Sequence, residues 1–78
     1  MHVTVQYLAQ MKRILGRSED RVELPSGATL ADLIRVVVGL GDRENRSLLF
    51  FVNDKPADPA TALPEGANVT VLAPMAGG

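Results

Sequence analysis

A chain of 78 residues has room for one hydrophobic core and no deep enclosed site, because a domain of this size buries only about 60% of its unfolded surface. Its 46% hydrophobic and 22% charged residues exclude disorder, and a formal net charge of -1 with scattered basic residues argues against a nucleic-acid partner. The lack of cysteine rules out disulfides, thiolate metal sites and a redox nucleophile; with no signal segment and no apolar run near the ~20 residues that cross a bilayer, a cytoplasmic chain with no membrane partner is expected.

The opening HVTVQYL alternates with period two, placing Val3, Val5 and Tyr7 on one face and His2, Thr4 and Gln6 on the other, which predicts a half-buried strand over residues 2 to 8. AQMKRILG follows with good helix formers, Met11, Ile14 and Leu15 at helical spacing, and Gly16 as a C-terminal cap, so one or two helical turns are expected. DRVELPSG reads as a second short strand with Val22 and Leu24 inward, able to pair antiparallel with the first and closed by a Pro-Ser-Gly turn.

In TLADLIRVVVGL three consecutive valines favour a strand. Periodicity favours a helix, since Leu30, Leu33, Ile34, Val37 and Val38 fall at i, i+3, i+4, i+7 and i+8, with Asp32 and Arg35 off that stripe. Thr29 and Asp32 form a capping-box pattern at its start, and Gly39 or Gly41 would end it. GDRENR is a solvated loop, and GLGDRE is no dinucleotide motif because it follows a helix instead of a strand. LLFFVND is a strand apolar on both faces, with Phe50 and Val52 inward and Leu49 and Phe51 outward. The proline-punctuated KPADPATALPEGA is expected to be loop, with at most one helical turn near Pro59 capped by Asp58. NVTVLA is the last strand, Val69 and Val71 inward, Thr70 and Leu72 outward.

No residue set suggests catalysis or metal binding. His2 is the single histidine and has no second ligand nearby; Glu19, Asp20, Glu23, Asp42 and Glu44 read as solvated charges, and Lys12 and Lys55 as surface lysines. Neither a metal nor a bound cofactor is expected. The chemistry, if any, lies in APMAGG: six extended residues reach roughly 20 Å, and two glycines without Cβ atoms can pass a narrow channel to carry a carboxylate into a site in another protein.

A small mixed sheet wrapped on one amphipathic helix, with the last strand running to Gly-Gly, resembles the ubiquitin-like β-grasp, an α+β fold. The stretches YLAQMKRILGRSEDRVELP, FFVNDKPAD, ALPEGANVTVLAP and AGG together resemble the MoaD/ThiS family of sulfur-carrier proteins, and its MoaD branch more than the other. One departure is that the MoaD branch often carries two prolines where this chain has Ala73 and Pro74, and a small β-branched residue where it has Met75. The resemblance implies a β-grasp domain over residues 1–72 and a tail over 73–78, a carrier that is not itself an enzyme, and working positions at Gly78, whose carboxylate is activated, and at Gly77, Ala76, Met75 and Pro74 of the tail. It implies three partners: an ATP-dependent adenylating enzyme of the MoeB/ThiF kind, a persulfide sulfur donor, and a large molybdopterin synthase subunit of the MoaE kind. A ubiquitin-like modifier joined through Gly78 to lysines, and a carrier for thiazole or cysteine synthesis, are the other functions this resemblance allows. Strand alternation then makes Leu49, Phe51 and Leu72 the expected docking patch for both protein partners; the alternative is that the loop from Pro56 to Pro64 folds over them as a second minor core.

Overall fold

A computed structural model describes residues 1–37 and 48–73. The expected helix end at Gly39 or Gly41, the loop GDRENR and the tail from Pro74 to Gly78 lie outside these residues. The element order is β1 (His2–Ala9), α1 (Gln10–Leu15), β2 (Glu19–Glu23), α2 (Leu30–Val37), β3 (Leu49–Val52), β4 (Lys55–Ala57) and β5 (Asn68–Ala73). The strands form one mixed sheet in the order β2-β1-β5-β3-β4. β1 and β5 pair in parallel at its centre, and β1–β2, β3–β5 and β3–β4 are antiparallel. This is the expected α+β, ubiquitin-like β-grasp.

Alternation in the strands and the stripe on α2 converge on a single core. Val3, Val5 and Tyr7 from β1, Val69 and Val71 from β5, and Phe50 and Val52 from β3 face Leu30, Leu33 and Ile34 of α2, all of them buried. Periodicity therefore prevails over the β-propensity of the valines: Val36, off the stripe, is exposed, while Val37 packs against the core. α1 contributes only Met11 to the buried cluster; Leu15 lies at its edge and Ile14 points to solvent.

Helix starts and stops follow the local chemistry. The Thr29 N–H donates to Asp32 Oδ2 at 2.9 Å and the Asp32 N–H donates to Thr29 Oγ1 at 3.3 Å, a reciprocal capping box that satisfies two backbone donors at the start of α2. Thr29→Ala is expected to lower stability by about 1 kcal/mol and Tm by roughly 4–8 °C, measured by thermal denaturation. Gly16 closes α1 in the left-handed conformation at φ 73, its N–H donating to the Lys12 carbonyl at 3.0 Å.

One expectation is corrected. Lys55–Ala57, expected as loop, is the edge strand β4. Asn53 and Asp54 both adopt positive φ, 51 and 69, which makes a two-residue turn whose twist matches the strands it joins. Pro56 discouraged that reading, but opposite Phe51 on an edge strand it breaks no ladder that the fold requires. The rest of the segment is loop with a single turn at Asp58–Thr61, where the Asp58 carboxylate accepts the Ala60 N–H at 3.0 Å.

Candidate docking face and tail exit

Because α2 covers one face of the sheet, the register of the strands decides what the other presents. Leu8 of β1, Leu72 of β5 and Leu49 of β3 are direct register partners, so they form one continuous row across the three central strands. The next outward row runs Gln6, Thr70, Phe51, Pro56. Leu49 and Leu8 are 47% and 46% exposed, whereas Phe51 and Leu72 are half-buried. The structure thus brings Leu49, Phe51 and Leu72 together on one face and adds Leu8. The alternation that assigned Thr4 and Gln6 outward extends to Leu8 and is the signal by which it could have been found.

The proline-rich loop leaves this face open. Thr61 and Pro59 carbonyls accept the N–H groups of Leu30 and Ala31, the Leu63 N–H donates to the Ala28 carbonyl at 3.0 Å, and Leu63 is buried in the main core. The loop therefore runs along the start of α2, on the helix side of the sheet.

β5 ends at Ala73, paired with Ala9 where β1 gives way to α1. Ala9 itself has φ 54 and ψ -126, a conformation that costs a non-glycine residue of order 1–3 kcal/mol and turns the chain sharply out of the sheet into α1. The tail positions Pro74, Met75, Ala76, Gly77 and Gly78 lie outside the described residues; their root, Leu72–Ala73, adjoins the apolar row.

Beside this exit sits a polar cluster. The Tyr7 hydroxyl donates to Asp20 Oδ2 at 2.7 Å, and Arg17 pairs with the same oxygen through Nε, donates through Nη2 to the Val37 carbonyl at 3.1 Å, and lies 5.5 Å from the Tyr7 ring centroid. Asp20, expected as a solvated charge, thus ties Tyr7 of β1 to Arg17 of the α1–β2 turn, and Arg17 carries the link on to the end of α2. Burial alone would raise its carboxyl, but the hydrogen bonds from Arg17 and Tyr7 and the Arg17 charge together hold it below the ordinary carboxylate value. Its contribution to stability is present above that ordinary value and lost as pH falls through the depressed one.

Burial, and then the hydrogen bond to Asp20, push the Tyr7 phenol up to about 12. A folded phenol that keeps its proton to that pH, against ~10 in an unfolded chain, stabilises the fold in full below pH ~10 and loses the contribution as pH rises toward 12. Tyr7 is the only tyrosine, so tyrosinate absorbance reports it alone: the expected midpoint is about 12 in the native protein and falls to ~10 in denaturant. A neutral phenol of this kind is no nucleophile at neutral pH. Among the described residues no cluster of three metal-ligating side chains occurs, and no helix is long and apolar enough to cross a membrane.

Comparison with known proteins bears on this geometry. Residues 5–78 match the sequence profile of the ThiS family. Similar solved structures include SAMP1 from Haloferax volcanii, 20% identical over 100% of both chains with a TM-score of 0.86. They also include Urm1 from Trypanosoma brucei, 18% identical over 99% of this chain and 95% of that one, with a TM-score of 0.72. A third is the protein–protein complex of subunits 1 and 2 of molybdopterin-converting factor from Helicobacter pylori, in which a chain is 18% identical over 100% of both with a TM-score of 0.67. A search of curated protein sequences finds no significant match.

Proposed function

The chain belongs to the ThiS family, and from that premise we propose that it is a sulfur carrier whose Gly78 carboxylate is converted to a thiocarboxylate, with molybdopterin synthesis as the pathway served and this chain as the small subunit of the synthase. The observation that carries the reading is that the family match runs through Gly77 and Gly78, four and five residues along the sequence from Ala73, where the central strand of the sheet ends.

The proposed chemistry follows from what a carboxylate lacks. Its carbon is a poor electrophile in water, so an ATP-dependent adenylating partner first joins it to AMP with loss of pyrophosphate. The terminal sulfur of a persulfide then attacks the acyl carbon and expels AMP, and a thiol cleaves the S–S bond to leave the thiocarboxylate. That group is a sulfur nucleophile which a chain without cysteine cannot otherwise supply. The body contributes position: Leu49, Phe51 and Leu72, with Leu8, hold the sheet face against the adenylating enzyme and then the large subunit, while residues 73–78 thread inward. Support for this surface is its open apolar exposure and its continuity with the tail root.

Incubation of the chain with the adenylating enzyme, ATP and a sulfur donor is expected to add ~16 Da, oxygen replaced by sulfur at the terminal carboxylate, read by mass spectrometry. A chain that gains no mass but leaves a Gly-Gly remnant on lysines of other proteins would instead be a modifier.

A further inference from the structure

Three of the eight Lys and Arg of the chain converge on one place. Lys12, Arg13 and Arg17 line an open groove of about 600 Å³ together with Ala9, Gly16 and Ser18, and among the described residues no acidic side chain lines it. Lys12 also borders a second groove of about 380 Å³ that reaches Gln6 and Leu8, with Glu19 the one acid among its described lining residues, so the basic groove is continuous with the end of the apolar row.

Local structure does not account for this convergence. Cations in the last turn of a helix complement its dipole, but α1 has only six residues, carries no acid in its first turn, and Arg17 lies beyond its Gly16 cap. Arg17 is held by Asp20, the Val37 carbonyl and the Tyr7 ring. Lys12 and Arg13 have no ion-pair partner among the described residues. Arg17 has its counter-charge in Asp20, but Lys12 and Arg13 beside it have none among the described residues, and a docked anion would supply it.

We propose that this groove receives an acidic peptide segment of the protein that docks on the apolar rows, its carboxylates pairing with Lys12 and Arg13 beside the positioned Arg17. The inference rests on the docking reading above and adds the chemistry of the partner. Continuity of a cationic rim with an apolar centre suits a protein partner, since interfaces surround an apolar core with charge. A nucleic-acid strand fits poorly, because a continuous phosphate backbone calls for a longer basic stripe and the chain as a whole carries a formal net charge of -1.

The test is an NMR titration of the full-length, isotopically labelled chain with a hexaglutamate peptide, inorganic phosphate serving as the second probe. The peptide is expected to shift the amides of residues 9 to 18 saturably, with affinity falling severalfold from about 20 mM to about 150 mM salt. The double variant Lys12→Glu, Arg13→Glu is expected to weaken that affinity roughly tenfold or more. Should charge reversal disturb α1, the neutral pair Lys12→Gln, Arg13→Gln is expected to give a smaller loss in the same direction. Phosphate saturating these amides at lower concentration than the peptide would overturn the proposal in favour of a small-oxyanion site, and a peptide that leaves this segment unshifted would overturn it outright. Neither probe involves ATP or sulfur, so failure here leaves the carrier reading standing, and absence of the mass gain leaves the groove standing.

Discussion

Deletion of Gly78 is expected to abolish sulfur acquisition while leaving thermal stability unchanged. The deletion withdraws the carboxylate by one residue, ~3.4 Å along an extended chain, from an adenylating site whose reacting atoms must approach within about 3–3.5 Å. Misplacement by even an ångström can cost a hundredfold, and a full residue is several times that displacement. Replacement of Gly77 by tryptophan should act the same way by a different route, since a Cβ and a bulky ring would obstruct a channel that two glycines pass. Stability should hold in both variants because the ladder that fixes β5 ends at Ala73. The checks are the mass gain under activating conditions and the melting temperature of each variant. A deletion variant that acquires sulfur at the wild-type rate would refute the carrier mechanism.

A second large effect is expected on the sheet face. Phe51→Ala removes an aromatic side chain from the proposed interface, where such anchors contribute about 2 kcal/mol or more, so affinity for the adenylating enzyme should fall at least roughly tenfold. Leu49→Glu is the sharper probe. Leu49 is 47% exposed in the free protein, so a carboxylate there meets water and costs the fold little, whereas in the complex it would be desolvated at the β3 end of the apolar row. Binding and melting temperature are measured together. Loss of stability with normal affinity in the folded fraction would show that these side chains serve only their own domain.

Much of this arrangement is legible in the sequence because short-range periodicity reports burial. Val3, Val5 and Tyr7, Val69 and Val71, and Phe50 and Val52 each betray a face by alternation, and Leu30, Leu33 and Ile34 betray a helix despite the valines beside them. The capping box of Thr29 and Asp32 is equally local and is found as expected. What escaped depends on pairing between distant segments or on backbone conformations with a weak composition signal. β4 is three residues long with a proline in it, and only the left-handed Asn53 and Asp54 turn it back on β3. Asp20 looks like a surface charge until the antiparallel register of β1 and β2 brings it to Tyr7. The row Leu8, Leu72, Leu49 joins strands from the start, the middle and the end of the chain, so no window of sequence contains it.

The central place of β5 also has a mechanical consequence. The strand that leads to the tail is clamped between β1 and β3 along its length, with hydrogen-bond ladders on both sides. When the body is gripped by its sheet face and force is applied at Ala73 along the strand, those ladders lie across the direction of pull and are loaded together in shear. An edge strand such as β4 would instead peel away one bond at a time. On the proposed carrier reading, this arrangement would let the chain be drawn by its end into a tight channel and withdrawn again without unravelling, so that the same folded body serves successive cycles.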